Sequence, residues 1–276
     1  MAVATSAVEQ AVVAALAEDV GPGDVTTEAT VDPAAEAVAA ILLKEAGVVC
    51  GLGVAEAVFR LVDEEILFEP IVEDGAALER PGPVARVSGR ASSVLTAERV
   101  ALNFLGRLSG IATLTRRYVD AVAGTGVTIL DTRKTTPGLR ALEKHAVACG
   151  GGRNHRFGLW DGVLVKDNHL RAAGSVAAAV ERVRVSSDLP IEVECDTQEQ
   201  VVEALRAGAD AILLDNMRLE ELRAAVELVA GRARLEASGG ITLENVRAVA
   251  ETGVDDISVG ALTHSARSLD VSLELT

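Results

Sequence analysis

Residues 191–215, IEVECDTQEQVVEALRAGADAILLD, decide the fold class of this chain. Two short apolar runs, IEVE before Cys195 and AILL before Asp215, flank a segment with helical periodicity. This order is typical of a βαβ unit, in which a crossover helix joins two parallel strands. The stretch therefore predicts an α/β protein with a parallel sheet.

The same alternation continues on both sides of this unit. Further apolar runs end at Asp131, Lys166, Ala237 and Gly260, so that six strands are predicted from residue 127 onward. Each interval between strand ends after Lys166 leaves room for one helix. Six βα units predict a barrel-type α/β domain, and a doubly wound open sheet is the alternative that the pattern leaves open.

The first part of the chain has a different pattern. An alanine-rich helical segment at 3–17 precedes the Gly- and Pro-containing stretch EDVGPGDVTT, residues 18–27. Residues 34–95 contain short apolar runs separated by Gly, Pro and acidic residues, which predicts a small, mostly antiparallel α+β domain. A long helical region at 96–122 follows, and we expect a break in it near Gly106 or Gly110.

Composition excludes several classes of protein. The chain has 276 residues, of which 49% are hydrophobic and 24% charged, as expected of a folded globular protein. Its apolar stretches, such as Ala37 to Leu43, are shorter than the roughly 18 residues of a membrane span, and its start lacks the basic residues of a secretory signal. We therefore expect a cytoplasmic protein without a membrane partner. A net charge of −15 and 2% aromatic residues also disfavour nucleic acid as a partner.

The cysteines and histidines give no sign of a known metal or nucleophile motif. Cys50, Cys149 and Cys195 are an odd number without close pairing, which indicates neither a disulfide framework nor a tetrahedral zinc site. His145 and His169 are interpreted as helix-face or structural histidines. Sequences of the HExxH, GxSxG, CxxC and Walker types do not occur in the chain.

Charge is unevenly distributed along the chain. Residues 131–171 contain eight Lys and Arg against four Asp and Glu, a net charge of +4, and the remaining residues carry −19. A basic segment in an acidic protein can attract small anions. Chance clustering of surface Lys and Arg is an equally good interpretation on composition alone.

Polar residues and glycines follow the predicted strands, at the face where barrel enzymes hold their active sites. Capping of the next helix explains any one of them, but it explains the whole set poorly. The set comprises Asp131, Thr132, Arg133, Lys134, Lys166, Glu194, Asp215, Ser238, Gly239, Gly240 and Gly260.

Three groups of residues, drawn from this set and from its neighbours in the sequence, suggest ligands. The loop SGGIT, residues 238–242, can direct backbone N–H groups at a phosphate, aided by the dipole of a following helix. Glu194 and Asp215 can accept hydrogen bonds from ribose hydroxyls or hold hydrated Mg²⁺, and a carboxylate–lysine pair with Lys166 is the structural alternative. Cationic side chains suited to planar carboxylates are Arg133, Lys134, His155 and Arg156. By pattern alone, Arg99 is a solvated helix residue and His264 is undecided.

These segments resemble the quinolinate phosphoribosyltransferase family. The resemblance rests on residues 131–170, DTRKTTPGLRALEKHAVACGGGRNHRFGLWDGVLVKDNHL, and on EVECDT, ILLDNM, EASGGIT, VGALTHS and the early EDVGPGDVTT. A family associated with molybdenum transport shares the fold, but the RKTTPG and KDNH stretches are similar to those of the quinolinate enzymes. The resemblance extends over essentially the whole chain.

The resemblance implies an architecture and an activity. It implies an N-terminal α/β sandwich domain at 1–110 and an open, TIM-like α/β barrel of about seven strands at 111–276, with the last residues packing back on the first domain. The implied reaction joins quinolinate to the ribosyl phosphate of phosphoribosyl pyrophosphate, with loss of CO₂, to give nicotinate mononucleotide for NAD biosynthesis. A homodimer with shared active sites is also implied.

The resemblance further assigns roles to residues of this chain. Arg133, His155, Arg156 and Lys166 would surround quinolinate, with Thr132 beside them and Arg99 reaching the neighbouring subunit's pocket. The catalytic set would be Lys134 and Lys166 at the pyrophosphate, and Glu194 and Asp215 at the ribose and Mg²⁺. The 5-phosphate would be bound by Ser238, Gly239, Gly240 and Gly260. Another phosphoribosyl-binding barrel enzyme and a non-catalytic phosphometabolite-binding protein are the competing interpretations.

Overall fold

The structure is a computed structural model that describes residues 5–276, so Val3 and Ala4 of the predicted first helix lie outside the described residues. In chain order the elements are α1 (Thr5–Asp19), α2 (Val25–Thr30), β1 (Glu36–Leu43), β2 (Gly47–Val48), α3 (Leu52–Val62), β3 (Leu67–Pro70), β4 (Ala77–Leu78), β5 (Gly82–Arg90), α4 (Ala91–Ala121), β6 (Thr128–Leu130), α5 (Arg140–Cys149), β7 (Val163–Val165), α6 (Asp167–Ala173), α7 (Val176–Ser186), β8 (Ile191–Cys195), α8 (Gln198–Arg206), β9 (Ala211–Asp215), α9 (Leu219–Val229), β10 (Arg234–Ser238), α10 (Val246–Ala250), β11 (Asp256–Ser258), α11 (Ala261–His264) and β12 (Val271–Leu275).

The chain folds into two compact units that are discontinuous in sequence. The first, called here the mixed unit, comprises the described residues up to 116 together with 135–151 and 261–276. The second, the barrel unit, comprises residues 117–134 and 152–260. Helix α5 lies between two strands of the barrel unit in sequence but belongs to the mixed unit.

The mixed unit is built on a four-stranded antiparallel sheet in the order β12-β1-β5-β3, with a second, two-stranded ladder of β2 and β4. Along β1 every second residue from Ala39 to Leu43 is buried, as expected of a strand with one face on the core. Helix α3 packs an apolar face that includes Val54, Val58 and Phe59. The antiparallel sheet and its helices confirm the prediction of a small, mostly antiparallel α+β domain.

The helices of this unit differ from the prediction at two places. The Gly- and Pro-containing stretch at 18–27 does end the first helix, but a second helix, α2, begins within it at Val25 because the Asp24 carboxylate accepts a hydrogen bond of 3.0 Å from the Thr27 N–H. Helix α4 is also continuous at Gly106 and Gly110.

Both glycines of α4 serve close packing rather than a helix break. A Cβ at Gly110 would collide with the Arg267 carbonyl oxygen, and one at Gly106 would lie 2.8 Å from that of Leu269. The Leu269 N–H donates a hydrogen bond of 3.0 Å to the Gly106 carbonyl. The absence of side chains therefore lets the segment before β12 lie directly against the helix.

The barrel unit contains a six-stranded parallel sheet in the order β6-β11-β10-β9-β8-β7. The six strands are those predicted from the apolar runs. From β7 to β11 the neighbours are consecutive in sequence, and the first strand, β6, pairs with the last, β11. A doubly wound sheet would instead reverse its order near the middle. The open barrel is confirmed.

A seventh segment lies outside β6. Leu130 forms an isolated parallel bridge with Arg153, and within residues 5–276 no ladder joins this edge to β7. The count of about seven strands therefore holds if this single bridge is included.

Among the helices of residues 5–276, none has both the length and the apolar character to cross a bilayer.

Candidate active site

A cavity of about 570 Å³ opens at the carboxyl ends of the parallel strands of the barrel unit. It gathers eleven of the predicted site residues: Thr132, Arg133, Lys134, His155, Arg156, Lys166, Glu194, Asp215, Ser238, Gly239 and Gly240. It is also lined by five residues that the sequence did not single out: Leu164, Leu213, Asn216, Glu236 and Ser258. Residues far apart in sequence thus form one polar site.

The register of the parallel sheet explains this convergence. Ser238 of β10 is the direct partner of Asp215 of β9. Glu194 of β8 is the partner of Leu213, which also lies in β9. Because all these strands run in one direction, their last residues meet at one edge. The βα repeat read from the sequence is sufficient to bring these three side chains together.

Lys166 and Glu194 form the central ion pair of the cavity. The Lys166 Nζ lies 2.7 Å from the Glu194 Oε2, with the lysine side chain 43% exposed and the carboxylate 14% exposed. The carboxylate–lysine pair considered as a structural alternative is therefore present. It also holds the ammonium group at the cavity, where an anionic ligand can reach it.

Asn216 supports the neighbouring carboxylate. Its Nδ2 donates a hydrogen bond of 2.7 Å to the Asp215 Oδ2, and its backbone N–H donates one of 2.8 Å to the Ser238 carbonyl. Asn216 has φ of 55°, a conformation that asparagine tolerates better than most residues. The Asp-Asn pair at a strand end was the available sequence signal for this residue.

The loop after β10 has a backbone conformation that requires glycine. Gly239 and Gly240 both have positive φ, 93° and 62°, and a Cβ on Gly239 would collide with the Asn216 side chain. Asn245 closes the loop, donating from Nδ2 to the Gly240 carbonyl at 2.9 Å and accepting from the Thr242 N–H at 2.9 Å. Small residues here leave backbone N–H groups accessible to a phosphate.

The sequence predicts a helix at 243–250 after this loop, but the observed helix is shorter and begins later. Helix α10 begins at Val246 and has five residues. The dipole of so short a helix, which begins after Asn245, adds little to the stabilisation of an anion at Gly239 and Gly240. The electrostatic effect of a helix N-terminus is confined to its first turn. Any phosphate binding by this loop therefore depends on its own N–H groups.

His155 is held in a defined orientation at the wall of the cavity. Its backbone N–H donates to the Asp131 Oδ1 at 2.9 Å, and its Nδ1 accepts a hydrogen bond of 2.7 Å from the Arg156 N–H. The proton of the neutral ring is therefore assigned to Nε2. This nitrogen lies 2.9 Å from the Glu192 Oε2 and 3.4 Å from the Glu236 Oε2.

Glu192 and Glu236 are the main functional candidates that sequence reasoning missed. Glu236 is 4% exposed, and its Oε1 is buried without a hydrogen-bond partner. Burial, followed by the nearby Glu192 charge, raises the pKa of Glu236 to about 8. The sequence signal was a carboxylate inside each of the apolar runs IEVE and RLEA.

Two arginines create an electropositive region in the same cavity. Arg133 and Arg156 are both half-buried, and the Arg156 Nη1 donates to the Gly162 carbonyl at 3.1 Å. Burial, and next the charge of Arg133, lower the pKa of Arg156. Both guanidinium groups are therefore placed to gain from an anion that lies between them.

Other predicted residues lie elsewhere. Arg99 is exposed on α4 in the mixed unit, and Gly260 follows β11 at the end of the barrel unit; neither is among the described residues that line the cavity. His264 is an exposed residue of α11, with its Nδ1 2.6 Å from the Ser265 hydroxyl. His169 has a structural contact, since its Nδ1 accepts a 3.0 Å hydrogen bond from the Lys166 N–H.

Comparison with known proteins gives a consistent result. The models "Quinolinate phosphoribosyl transferase, N-terminal domain" and "C-terminal domain" match residues 24–109 and 111–274. The chain is 47% identical to the nicotinate-nucleotide pyrophosphorylase (carboxylating) of Mycobacterium leprae (strain TN) over 95% of this chain and 94% of that protein. It is 44% identical to the probable enzyme of that name from Bacillus subtilis (strain 168), over 94% and 90% of the two chains. The structure of nicotinate-nucleotide pyrophosphorylase from Francisella tularensis superposes with a TM-score of 0.96 at 38% identity, covering 100% of this chain and 98% of the other.

Proposed function

The chain belongs to the quinolinate phosphoribosyltransferase family, and we infer that it transfers the phosphoribosyl group of phosphoribosyl pyrophosphate to quinolinate with decarboxylation. It is a pentosyltransferase whose products are nicotinate mononucleotide, pyrophosphate and CO₂, a step in de novo NAD biosynthesis. This activity replaces both competing interpretations of the sequence, the other phosphoribosyl-binding barrel enzyme and the non-catalytic binding protein.

The set of side chains that lines the cavity is the observation that supports this reaction. The cavity contains the arginine pair Arg133 and Arg156 together with the 238–240 loop and the carboxylates Glu194 and Asp215. Guanidinium groups bind planar carboxylates through two parallel hydrogen bonds. A phosphate-binding loop beside ribose-binding carboxylates suits a phosphorylated sugar. The cavity therefore fits an aromatic dicarboxylate next to a ribosyl phosphate.

Binding of quinolinate relieves an electrostatic cost. Burial lowers the pKa of Arg156, and repulsion by the charge of Arg133 lowers it further. A ligand with two adjacent carboxylates neutralises both charges, whereas a monocarboxylate leaves one of them unbalanced. We propose that this difference selects quinolinate over related pyridine monocarboxylates.

The transfer step requires positioning and charge neutralisation. Bond breaking at the ribose carbon passes through an oxocarbenium-like state, so the leaving pyrophosphate gains charge before the pyridine nitrogen has bonded fully. We propose that the ammonium groups of Lys134 and Lys166 neutralise the negative charge of the leaving pyrophosphate. Glu194 and Asp215 hold the ribose hydroxyls, which aligns the reacting carbon with the ring nitrogen.

Mg²⁺ fits the donor set at this position. Glu194 and Asp215 offer carboxylate oxygens at the cavity, the ligand type that this ion prefers while it keeps several waters. When bound, Mg²⁺ supplies positive charge to the pyrophosphate group. We propose that these two carboxylates hold it through its waters, in the same region as the two lysines.

Decarboxylation uses the charge that transfer creates. Once the ring nitrogen carries the ribosyl group it is cationic, and the carboxylate on the adjacent carbon leaves as CO₂. The electron pair that remains on this carbon is stabilised by the neighbouring positive nitrogen until a proton is taken up. The chemistry therefore needs no electron-withdrawing cofactor.

We also propose that the enzyme is a homodimer with shared sites. Arg99 is an exposed cation on α4, and no described residue forms an ion pair with it in this chain. Membership of the family supports a position for it at the partner's cavity. A cytoplasmic location stays a prediction.

The deciding experiment is an assay with two acceptors. Purified protein is incubated with phosphoribosyl pyrophosphate and Mg²⁺, and CO₂ and pyrophosphate are measured with quinolinate or with nicotinate, which lacks one carboxylate. We expect equal release of CO₂ and pyrophosphate with quinolinate and little turnover with nicotinate. Absence of quinolinate-dependent CO₂ would contradict the function, and equal pyrophosphate release with nicotinate would contradict the role of the arginine pair.

A further inference from the structure

Four potential metal ligands from three separate segments converge in the mixed unit. They are Cys50 after β2, Asp74 in the turn before β4, and His145 and Cys149 on α5. One ligand atom from each of the four lies within 4.8 Å of all the others. None of these residues lines the cavity of the barrel unit, and the reaction described above uses none of them.

The distances among the ligand atoms are close to those of a tetrahedral site. His145 Nε2 lies 3.2 Å from Asp74 Oδ2 and 3.4 Å from Cys149 Sγ, while Cys50 Sγ lies 4.0 Å from Asp74 Oδ2. Zinc bonds to sulfur, nitrogen and oxygen at tetrahedral angles place ligand atoms about 3.3 Å (N to O) to about 3.8 Å (S to S) apart. The two distances from His145 thus agree with a zinc site to within about 0.2 Å, and the remaining pairs lie within 4.8 Å, so that shifts of at most about 1 Å would enclose an ion.

The surrounding hydrogen bonds orient two of the ligands. Asp74 Oδ1 accepts from the N–H groups of Gly51 and Leu52 at 2.9 and 3.0 Å, which leaves Oδ2 directed at the cluster. The Cys50 N–H donates to Ser109 Oγ at 2.9 Å, and the Ser109 hydroxyl lies 3.2 Å from the Cys50 carbonyl. Such outer contacts fix the position of metal ligands in proteins.

Helix α5 provides the other two ligands. His145 and Cys149 are four residues apart, so that their side chains lie on one face of the helix, one turn apart. Cys50 is fully buried, and the other three residues are half-buried. The site is thus sheltered from water on one side while an ion can still enter it.

A Cys–His–Asp nucleophile is the obvious alternative, and the geometry argues against it. In such a relay the carboxylate contacts one ring nitrogen and the nucleophile the other. Here Asp74 and Cys149 both contact Nε2 of His145. The polar atoms therefore point to a common centre instead of forming a chain.

We propose that Cys50, Asp74, His145 and Cys149 bind a structural Zn²⁺ ion. Two thiolates with an imidazole favour zinc over Mg²⁺ or Ca²⁺, which prefer oxygen ligands. Four protein ligands leave no position for a substrate, as in structural zinc sites. The ion would link the end of β2, the turn at residue 74 and α5, which are distant in sequence.

The test begins with the reduced wild-type chain. It is mixed with equimolar Zn²⁺ and passed through a desalting column. Its zinc content is then measured by inductively coupled plasma mass spectrometry. Replacement by Co²⁺ is followed by absorption spectroscopy. We expect one zinc per chain, intense visible bands of tetrahedral cobalt, and thiolate-to-cobalt charge transfer. Failure to retain zinc, or a cobalt spectrum without charge transfer, would overturn the proposal.

Variants identify the ligands. Cys149→Ser and His145→Ala should each lower zinc affinity at least a hundredfold, whereas Cys195→Ser, which changes the third cysteine in β8, should leave it unchanged. Unaltered affinity in both ligand variants would refute the assignment even if wild type binds zinc. If the variants do not fold, the cobalt spectrum of the wild-type chain decides, since two thiolates and tetrahedral geometry can come only from this cluster among the described residues.

A Cys50–Cys149 disulfide is the remaining rival. Intact mass measured under non-reducing conditions after isolation in the presence of zinc distinguishes it, because a disulfide removes two hydrogens. A chain isolated with full thiol mass and bound zinc supports the proposal. A chain isolated as the disulfide without zinc contradicts it. Neither result depends on the phosphoribosyltransferase assay.

Discussion

Glu236 Oε2 lies 3.4 Å from His155 Nε2, and both side chains are at least 85% shielded from solvent. Glu192 approaches the same nitrogen at 2.9 Å, so two carboxylates compete for one imidazole N–H. Close carboxylates in a poorly solvated place resist simultaneous ionisation. The arrangement therefore favours a proton on Glu236, and its pKa is raised to about 8.

This raised pKa predicts a pH-dependent stability. In the unfolded chain Glu236 ionises near pH 4.5, whereas in the folded chain it keeps its proton to about pH 8. Between these values the folded state binds the extra proton, so the contribution of Glu236 to the free energy of unfolding is fully present below about pH 4.5 and is lost as pH rises towards 8, by up to about 1.4 kcal/mol per pH unit. We expect Glu236→Gln to reduce this slope in urea unfolding between pH 5 and 8. An unchanged slope would mean that Glu236 is ionised throughout this range.

Arg133 and Arg156 should contribute more to the affinity for quinolinate than to the affinity for phosphoribosyl pyrophosphate. Each of Arg133→Ala and Arg156→Ala removes a charge-assisted contact of about 1.5–3 kcal/mol, equivalent to about one to two decades in affinity. Calorimetric titration should show this loss for quinolinate and a much smaller change for phosphoribosyl pyrophosphate. Arg171→Ala provides the control, because this exposed arginine of α6 lies outside the cavity lining. Unchanged quinolinate affinity in both cavity variants would remove the arginines from the site.

Gly239→Ala should damage the phosphate loop specifically. The substitution forces alanine into positive φ and against the Asn216 side chain, whereas Gly174→Ala introduces similar strain, at φ of 95°, into open space. Both variants should lose about 1–3 kcal/mol of stability. Only Gly239→Ala should raise the KM for phosphoribosyl pyrophosphate, by at least tenfold in steady-state assays. Equal KM values in the two variants would exclude a role for the loop in phosphate binding.

Shared active sites predict complementation between two inactive variants. Arg99→Ala and Lys134→Ala chains, when mixed and allowed to exchange, should form heterodimers with one doubly defective and one intact site. Activity should recover to about one quarter of wild type for random mixing of subunits in a twofold dimer. Native mass spectrometry verifies exchange. Persistent inactivity after verified exchange would mean that Arg99 acts in the active site of its own subunit or only supports the fold.

Strand order and the cavity were largely predictable. Parallel strands joined by helices place all their carboxyl ends on one side, so the position of Lys166, Glu194, Asp215 and Ser238 at predicted strand ends was sufficient to predict their convergence. Glu192 and Glu236 were missed because alternation along a strand shows which side chains share a face, without showing what lies opposite. The ring of His155, from a loop, supplies that missing contact.

The sequence by itself determined the βα repeat, the basic segment and the family, because these depend on local periodicity and on contiguous motifs. Only the tertiary structure decided the unbroken course of α4 through Gly106 and Gly110, which depends on the chain that packs against it. The same holds for the cluster of Cys50, Asp74, His145 and Cys149. Its sequence intervals match no metal motif, since folding sets distances in space that spacing along the chain does not encode.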